Sequence, residues 1–308
     1  MLGWQFRTMM MFIYMTALLM LVGGIIGFFL NQGNWMYFSL IMLFISLAIC
    51  FYSYFRSKEM ALKANHARII SRGEEPRLYD IVQELAERAG LPMPEVGIVE
   101  SMLPNAFATG RNPQNAAVVA TRGILDLLPD NELRAVLAHE MSHVKNRDIL
   151  VMGVASALAV VISFAARVTY FAAFFSSDRE NRGVMILIAL AAQILVPIAA
   201  LLIQLGISRS REFLADESGA KLINDPLALA DALEHLERRT DTVVTSYTLE
   251  GQDIRTSPTA AMMTDRNHAH MWIVNPLKKI SLGSLFSTHP STEERVRRLR
   301  ELAKKMQQ

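Results

Sequence analysis

Residues 139–143 have the sequence His-Glu-Met-Ser-His, and their types and spacing suit a metal centre with its own base. Histidines four positions apart lie on one side of a helix, so both imidazoles can reach a single ion. Glu140 lies beside them, facing a water that the ion would hold. Because zinc lowers the pKa of that water to about 7, Glu140 can take its proton as it attacks a peptide carbonyl. The pentapeptide therefore predicts peptide hydrolysis, with His139 and His143 as zinc ligands and Glu140 as general base.

The residues around the pentapeptide favour a functional site over a chance match. A helix is predicted from Asp130 onward, because apolar residues recur there at helical spacing: Leu133, Val136, Leu137 and Val144. Glu140 falls in the middle of this apolar stripe. A buried carboxylate costs several kcal/mol unless something compensates its charge, and a nearby zinc ion would do so. The placement of Glu140 is thus unusual for structure and expected for catalysis.

A tetrahedral catalytic zinc site needs a third protein ligand, and Glu212 is the candidate. Two predicted membrane spans separate it from His143, and an even number of spans returns the chain to the same membrane face. Asp216 follows four residues later on the same helical face, where it can accept the free N–H of a ligand histidine and fix its tautomer. A solvated acidic face is the alternative, but the apolar residues at 213–215 favour burial.

Composition predicts a membrane protein with a soluble part. Hydrophobic residues make up 52% of the 308 residues, and four apolar stretches are long enough to span a bilayer. They run from about Met9 to Leu30, Trp35 to Phe55, Ile149 to Phe175 and Val184 to Ile207. Basic residues flank these spans mainly on one side, which places both termini and the hydrophilic segments in the cytoplasm. The net charge of +2 gives no sign of a nucleic-acid partner, and the lone Cys50 excludes a cysteine-based zinc cluster.

The pattern outside the spans predicts a cytoplasmic α+β domain. In 57–148 we expect a helix at Pro76–Ala89 ended by Gly90, and strands at Glu95–Val99 and Ala116–Thr121. A short strand between Pro104 and Gly110 could present an unpaired edge to an extended peptide, although an ordinary hairpin strand is as good an interpretation. Segment 208–308 is predicted to be helical from Pro226 to about Arg238 and from about 291 to 305, with a loop over about 240–271.

Together these residues resemble the membrane-embedded zinc metallopeptidases of family M48. The shared features, in order, are paired anchors in 1–56, Asn-Ala-Phe-Ala-Thr-Gly at 105–110, the pentapeptide followed by Asp148, further spans in 149–207, Arg-Glu-Phe-Leu-Ala-Asp at 211–216, and His289-Pro with Arg295. The resemblance implies a mainly α membrane protein with four transmembrane helices and a zincin-like α+β domain. It also implies one zinc ion per chain, held by His139, His143 and Glu212, with Glu140 as base.

The resemblance also assigns roles that spacing alone does not reveal. Asp148 would lie behind the zinc ligands as Asp216 does, and Arg295 would support these acidic residues. His289 would stabilise the oxyanion. An edge strand that aligns the substrate backbone would contain Asn105, Ala106, Phe107 and Ala108.

The predicted function is a zinc endopeptidase of the inner membrane. Its polypeptide substrates would be misfolded or damaged membrane proteins, cleaved on their cytoplasmic side in quality control and the stress response; homo-oligomers are possible. An intramembrane protease is excluded, since charged residues flank the pentapeptide: Asp130, Glu132, Arg134, Lys145, Arg147 and Asp148. A non-catalytic membrane scaffold with a structural zinc is the alternative, and four protein ligands would close such a site.

Overall fold

The computed structural model describes residues 35–148, 182–249 and 290–307, together with positions 17 and 20. The chain divides into two compact units. One comprises Met1–Phe55 and Leu150–Ile207, and the other comprises Arg56–Ile149 and Ser208–Gln308.

The described part of the first unit consists mainly of segments of two long helices. Helix α1 (Trp35–Ala64) begins in it, and so does helix α5 (Arg182–Ile223). The apolar stretches predicted at 35–55 and 184–207 are therefore helical, whereas those at 9–30 and 149–175 lie outside the described residues except for positions 17 and 20. Within the described part of the chain, no helix combines the length and the hydropathy needed to cross a bilayer. Membrane crossing stays a prediction.

The second unit contains a four-stranded sheet with the order β1-β2-β4-β3. Its strands are β1 (Arg68–Ile69), β2 (Glu95–Val99), β3 (Ala106–Gly110) and β4 (Ala116–Thr121). Strands β2 and β4 are parallel, and the other two pairings are antiparallel. The predicted bounds of β2 and β4 are confirmed, and β3 lies at the edge of the sheet, a position that the sequence left open. Strand β1 was not predicted, because two residues are too short to show any periodicity.

Five further helices complete the described part of the second unit. They are α2 (Pro76–Ala89), α3 (Arg122–Leu127), α4 (Asp130–Asn146), α6 (Pro226–Leu249) and α7 (Thr292–Met306). Gly90 ends α2 with φ 66°, which confirms the predicted cap. Helix α6 continues past the predicted end at Arg238, so the loop prediction is wrong for 240–249. Extending an established helix adds one hydrogen bond per residue, and weak helix formers therefore continue it.

Both faces of the sheet are covered, which explains why every residue of β4 is buried. Val118 and Ala120 join the main core with the buried sides of α2 and α4, whereas Val119 belongs to a small cluster with Val99 and Phe107. Alternate residues of a strand point to opposite faces, so the small cluster lies on the far face of the sheet. Leu62 and Ala67 pack against it there. Helix α4 packs against both the sheet and helix α6.

Candidate metal centre

Helix α4 carries the pentapeptide and is fixed at both ends. At its start, the guanidinium of Arg77 donates to the carbonyls of Leu125 and Leu128 at 2.6 Å and to Asp130 Oδ1 at 2.7 Å. At its end, Arg147 adopts the left-handed conformation with φ 58°. His139 is 2% exposed and Glu140 is 5% exposed. The predicted burial of Glu140 on the apolar side of the helix is confirmed.

Helix α5 can approach α4 because residue 219 is a glycine. A Cβ atom at Gly219 would lie 2.8 Å from the backbone nitrogen of His139, which is closer than real Cβ contacts allow. Glu212 and Asp216 lie on the same helix and are both buried. The missing side chain therefore allows the close packing that brings these two carboxylates to the histidines.

The donor atoms of His139, His143 and Glu212 converge on one point. The two Nε2 atoms are 3.1 Å apart, His139 Nε2 is 3.7 Å from Glu212 Oε2, and His143 Nε2 is 3.5 Å from Glu212 Oε1. Bonds of about 2.0–2.1 Å in a tetrahedral zinc site place neighbouring donors about 3.4 Å apart. The three separations cluster around that value. Among the described residues, this is the group that could hold a metal ion.

Each of the two histidines has a carboxylate behind it. His139 Nδ1 lies 2.9 Å from Asp216 Oδ1, and His143 Nδ1 lies 2.8 Å from Asp148 Oδ2. A carboxylate only accepts hydrogen bonds, so a proton on each Nδ1 suits these contacts and leaves each Nε2 free to direct a lone pair at a metal ion. The two Nε2 atoms, 3.1 Å apart, need a cation between them, and either a proton on one ring or a metal ion bound by both can supply it. The donor set therefore fits a metal ion.

Arg295 connects helix α7 to this cluster. Its Nε and one terminal nitrogen donate to the two oxygens of Asp216 at 2.8 and 2.7 Å, and another nitrogen lies 3.7 Å from Glu212 Oε2. Burial alone would raise the pKa of Asp216, but the Arg295 charge and the hydrogen bonds from Arg295 and His139 lower it to about 2. Burial opposes the charge on Arg295, yet Asp216 and Glu212 raise its pKa. Both side chains are therefore ionised at neutral pH.

Glu140 lies between the histidines and the edge strand. Its Oε2 accepts a hydrogen bond of 3.0 Å from the backbone N–H of Ala108. On the other side of β3, Thr121 N donates to Asn105 O, so the alternation of an antiparallel ladder turns the amides of Ala106 and Ala108 away from β4. Burial raises the pKa of Glu140, although the charges of the two histidines and the Ala108 amide oppose the rise.

The same cluster favours a proton on His143. Burial would lower the pKa of this imidazole, but the hydrogen bond to Asp148 and the charges of Glu212 and Glu140 raise it to about 9. A positive charge is thus stabilised at the point where the donors meet.

The structure brings together most of the predicted site residues. Asn105 is buried and its N–H donates to Thr121 Oγ1, whereas the Phe107 side chain packs into the small cluster on the far face of the sheet. His289 lies outside the described residues. Two contacts were missed, the Ala108 amide on Glu140 and the pairing of Arg211 with Asp148. Both join distant parts of the chain, and nothing in their local sequence indicates them.

Comparisons with known proteins identify chains that are similar to this one. The profile described as "Peptidase family M48" matches residues 72–303. A "Protease HtpX homolog" from Persephonella marina is 44% identical over 301 residues, covering 97% of this chain and 98% of the relative. Another from Thermococcus sibiricus is 40% identical over 309 residues, covering 99% and 98%. A third, from Ralstonia nicotianae, is 43% identical and covers 96% of both chains.

A solved structure shares the fold. The crystal structure of Ste24p from S. mikatae superposes with a TM-score of 0.54 at 19% identity and covers 92% of this chain. The chain spans 62% of the length of that protein. At this identity the likeness concerns the fold alone.

Proposed function

The chain belongs to peptidase family M48, and on this premise we propose that it is a zinc-dependent endopeptidase held at a membrane. The family and the relatives make it a metalloprotease. The observation that carries the zinc proposal is the convergence of two imidazole nitrogens and one carboxylate oxygen, with a buried glutamate beside them. Two nitrogens and one oxygen are a common ligand set of catalytic zinc, which keeps a fourth position for water or substrate.

Zinc bound there would lower the pKa of its bound water to about 7 and polarise the scissile carbonyl. Glu140 is the proposed general base, and its carboxylate takes the proton as the carbon–oxygen bond forms. The same carboxylate then delivers the proton to the leaving amine as the carbon–nitrogen bond breaks. Burial raises the pKa of Glu140, and this favours its holding a proton between these two steps. His289 is proposed to stabilise the oxyanion, on the resemblance alone.

The substrate is proposed to be an extended polypeptide that adds a strand to β3. The backbone groups of Ala106 and the carbonyl of Ala108 face away from β4, where a further strand can pair with them. Ala108 N–H already donates to Glu140, so we assign this amide to the base and not to the substrate. Pairing through the backbone reads little sequence, which suits the cleavage of misfolded chains.

We also propose that the chain is held in the inner membrane with its site and both termini in the cytoplasm. Large apolar side chains on α1 and α5 are solvent-exposed, among them Phe44 and Leu195. Exposed apolar surface of this kind is typical of contact with lipid or with another protein. The proposed division is 1–56 and 149–207 as membrane segments, with 57–148 and 208–308 as protease segments. Misfolded or damaged membrane proteins are then the nearest substrates, in quality control and the stress response.

The function is tested by cleavage of an unfolded polypeptide in detergent, with the native chain compared to E140Q and E132Q. Glu132 lies on the same helix and is also buried, but it contacts His235 instead of the metal cluster. We expect E140Q to lose about two to four orders of magnitude in kcat while it still binds zinc. E132Q should keep its activity. Equal rates for the native chain and E140Q would reject Glu140 as base, and zinc binding without any cleavage would favour a non-catalytic scaffold.

A further inference from the structure

Helix α5 carries Arg211 directly before the proposed ligand Glu212, and this arginine pairs with Asp148, the carboxylate behind His143. We propose that Arg211 is a positioning residue for His143 and acts through Asp148. The inference rests on the proposed function, because it concerns the same metal centre, and it adds a residue that no ligand pattern indicates.

The contacts form a chain of three side chains. Arg211 Nε lies 3.4 Å from Asp148 Oδ1, and the other oxygen, Asp148 Oδ2, lies 2.8 Å from His143 Nδ1. The Asp148 side chain is 4% exposed and that of Arg211 is 27% exposed. A carboxylate buried to this degree needs an opposite charge or it becomes costly. Arg211 supplies that charge from the side of Asp148 that faces away from the histidine.

The arrangement repeats on the other histidine. His139 is backed by Asp216, which Arg295 holds with two hydrogen bonds. His143 is backed by Asp148, which pairs with Arg211. Each ligand histidine therefore has a carboxylate behind it, and each carboxylate has a guanidinium behind it. Outer partners of this kind fix the ring orientation of a ligand histidine and set how strongly it binds the metal.

Asp148 needs such a partner because α4 does not fix its position. The left-handed residue Arg147 separates Asp148 from the end of α4. The carboxylate must still meet the Nδ1 of His143, which lies within that helix. Helix α5 provides the contact with Arg211 and supplies Glu212 and Asp216 to the same centre. One helix thereby aligns both histidines with the third ligand.

The test is the zinc affinity of the full chain in detergent, measured by competition with a chromophoric chelator. We expect R211Q to weaken zinc binding about tenfold, and R211K to recover part of the loss because it keeps the charge but not the planar guanidinium. The matched control is R122Q, which removes an arginine that pairs with Glu75 and Glu100 away from the centre. It should bind zinc within about twofold of the native chain. Affinity unchanged in R211Q would overturn the proposal.

A double-mutant cycle separates positioning from a general structural effect. In the D148N background, R211Q should change the zinc affinity by less than about twofold, because its route to His143 is already lost. Equal effects of R211Q in the native and D148N backgrounds would show that Arg211 does not act through Asp148. The cycle is repeated in the E140Q background, because zinc affinity can be measured there without any cleavage. A loss of the Arg211 effect there would contradict the inference, whereas inactivity of the native chain with the effect intact would contradict only the proposed function.

Discussion

At the scale of single residues, His143 is the side chain that favours a proton at the proposed metal position. The pKa of His143 is raised to about 9, with burial outweighed by the Asp148 hydrogen bond and by nearby carboxylates. The imidazole is therefore protonated below that pH, and a metal ion must displace its proton. We expect zinc loading near pH 7.5 to release more protons from the native chain than from D148N. Titration calorimetry in two buffers of different ionisation enthalpy measures this release, and equal release would contradict the assigned role of Asp148.

Asp216 gives a stability prediction with a defined sign. Its pKa is about 2 in the folded chain against an ordinary value of 3.8, so it contributes stability above pH 4 that is lost as the pH falls through 2. D216N leaves the buried charge of Arg295 unpaired and should cost about 3 kcal/mol or more at neutral pH. Thermal unfolding followed by circular dichroism should show the gap to the native chain narrowing below pH 4. A gap that stays constant down to pH 2 would contradict this coupling.

Residue spacing predicted the proposed ligands and base, which the structure brings together, because they belong to two helices with regular geometry. His139 and His143 are one turn apart on α4, and Glu212 and Asp216 are one turn apart on α5. The sequence could not indicate that Ala108 N–H meets Glu140, or that Arg211 meets Asp148. Each of these contacts depends on how separate elements pack, and Arg211 is equally well interpreted as a charge that flanks a predicted span.

At the scale of elements, the close approach of α4 and α5 is the critical contact. G219A should push the helices apart, because the added methyl meets the backbone of His139, which cannot rotate out of the way. We expect a loss of about 1–3 kcal/mol in stability and weaker zinc binding. The control is G206A on the same helix, where an added Cβ meets nothing within 4 Å. This substitution should stabilise the helix slightly, because alanine is a better helix former than glycine. Chelator competition on both variants checks this, and equal zinc affinities would mean that this packing does not set the site.

The elements differ in how far the sequence determined them. Helix α2 and strands β2 and β4 matched their predicted bounds. Pro76 and Gly90 mark the ends of the helix, and both strands contain β-branched residues. For β3 the sequence left two interpretations open, an edge strand and an ordinary hairpin strand. In the structure β3 is both, because it pairs with β4 and is the last strand of the sheet. The predicted end of α6 came too early, because residues 240–249 have no apolar periodicity from which a helix could be predicted.

At the scale of the whole molecule, the membrane proposal has its own test. Exposed apolar side chains on α1 and α5 would be in contact with lipid. We expect the full chain to sediment with membranes and to remain there after alkaline carbonate extraction. Detergent added to a second carbonate-treated sample should release the chain from the membranes. Recovery of the chain in the soluble fraction before any treatment would contradict the proposed location without affecting the proposed chemistry.

The most direct measurement of the central claim is the activity of chelator-stripped protein as zinc is added back, with E140Q treated in parallel. The proposal predicts that cleavage of an unfolded polypeptide rises with zinc and saturates at about one ion per chain, the number that His139, His143 and Glu212 can hold. E140Q should bind the same single ion and stay inactive. Cleavage that persists after chelation, or an E140Q variant as active as the native chain, would contradict the claim.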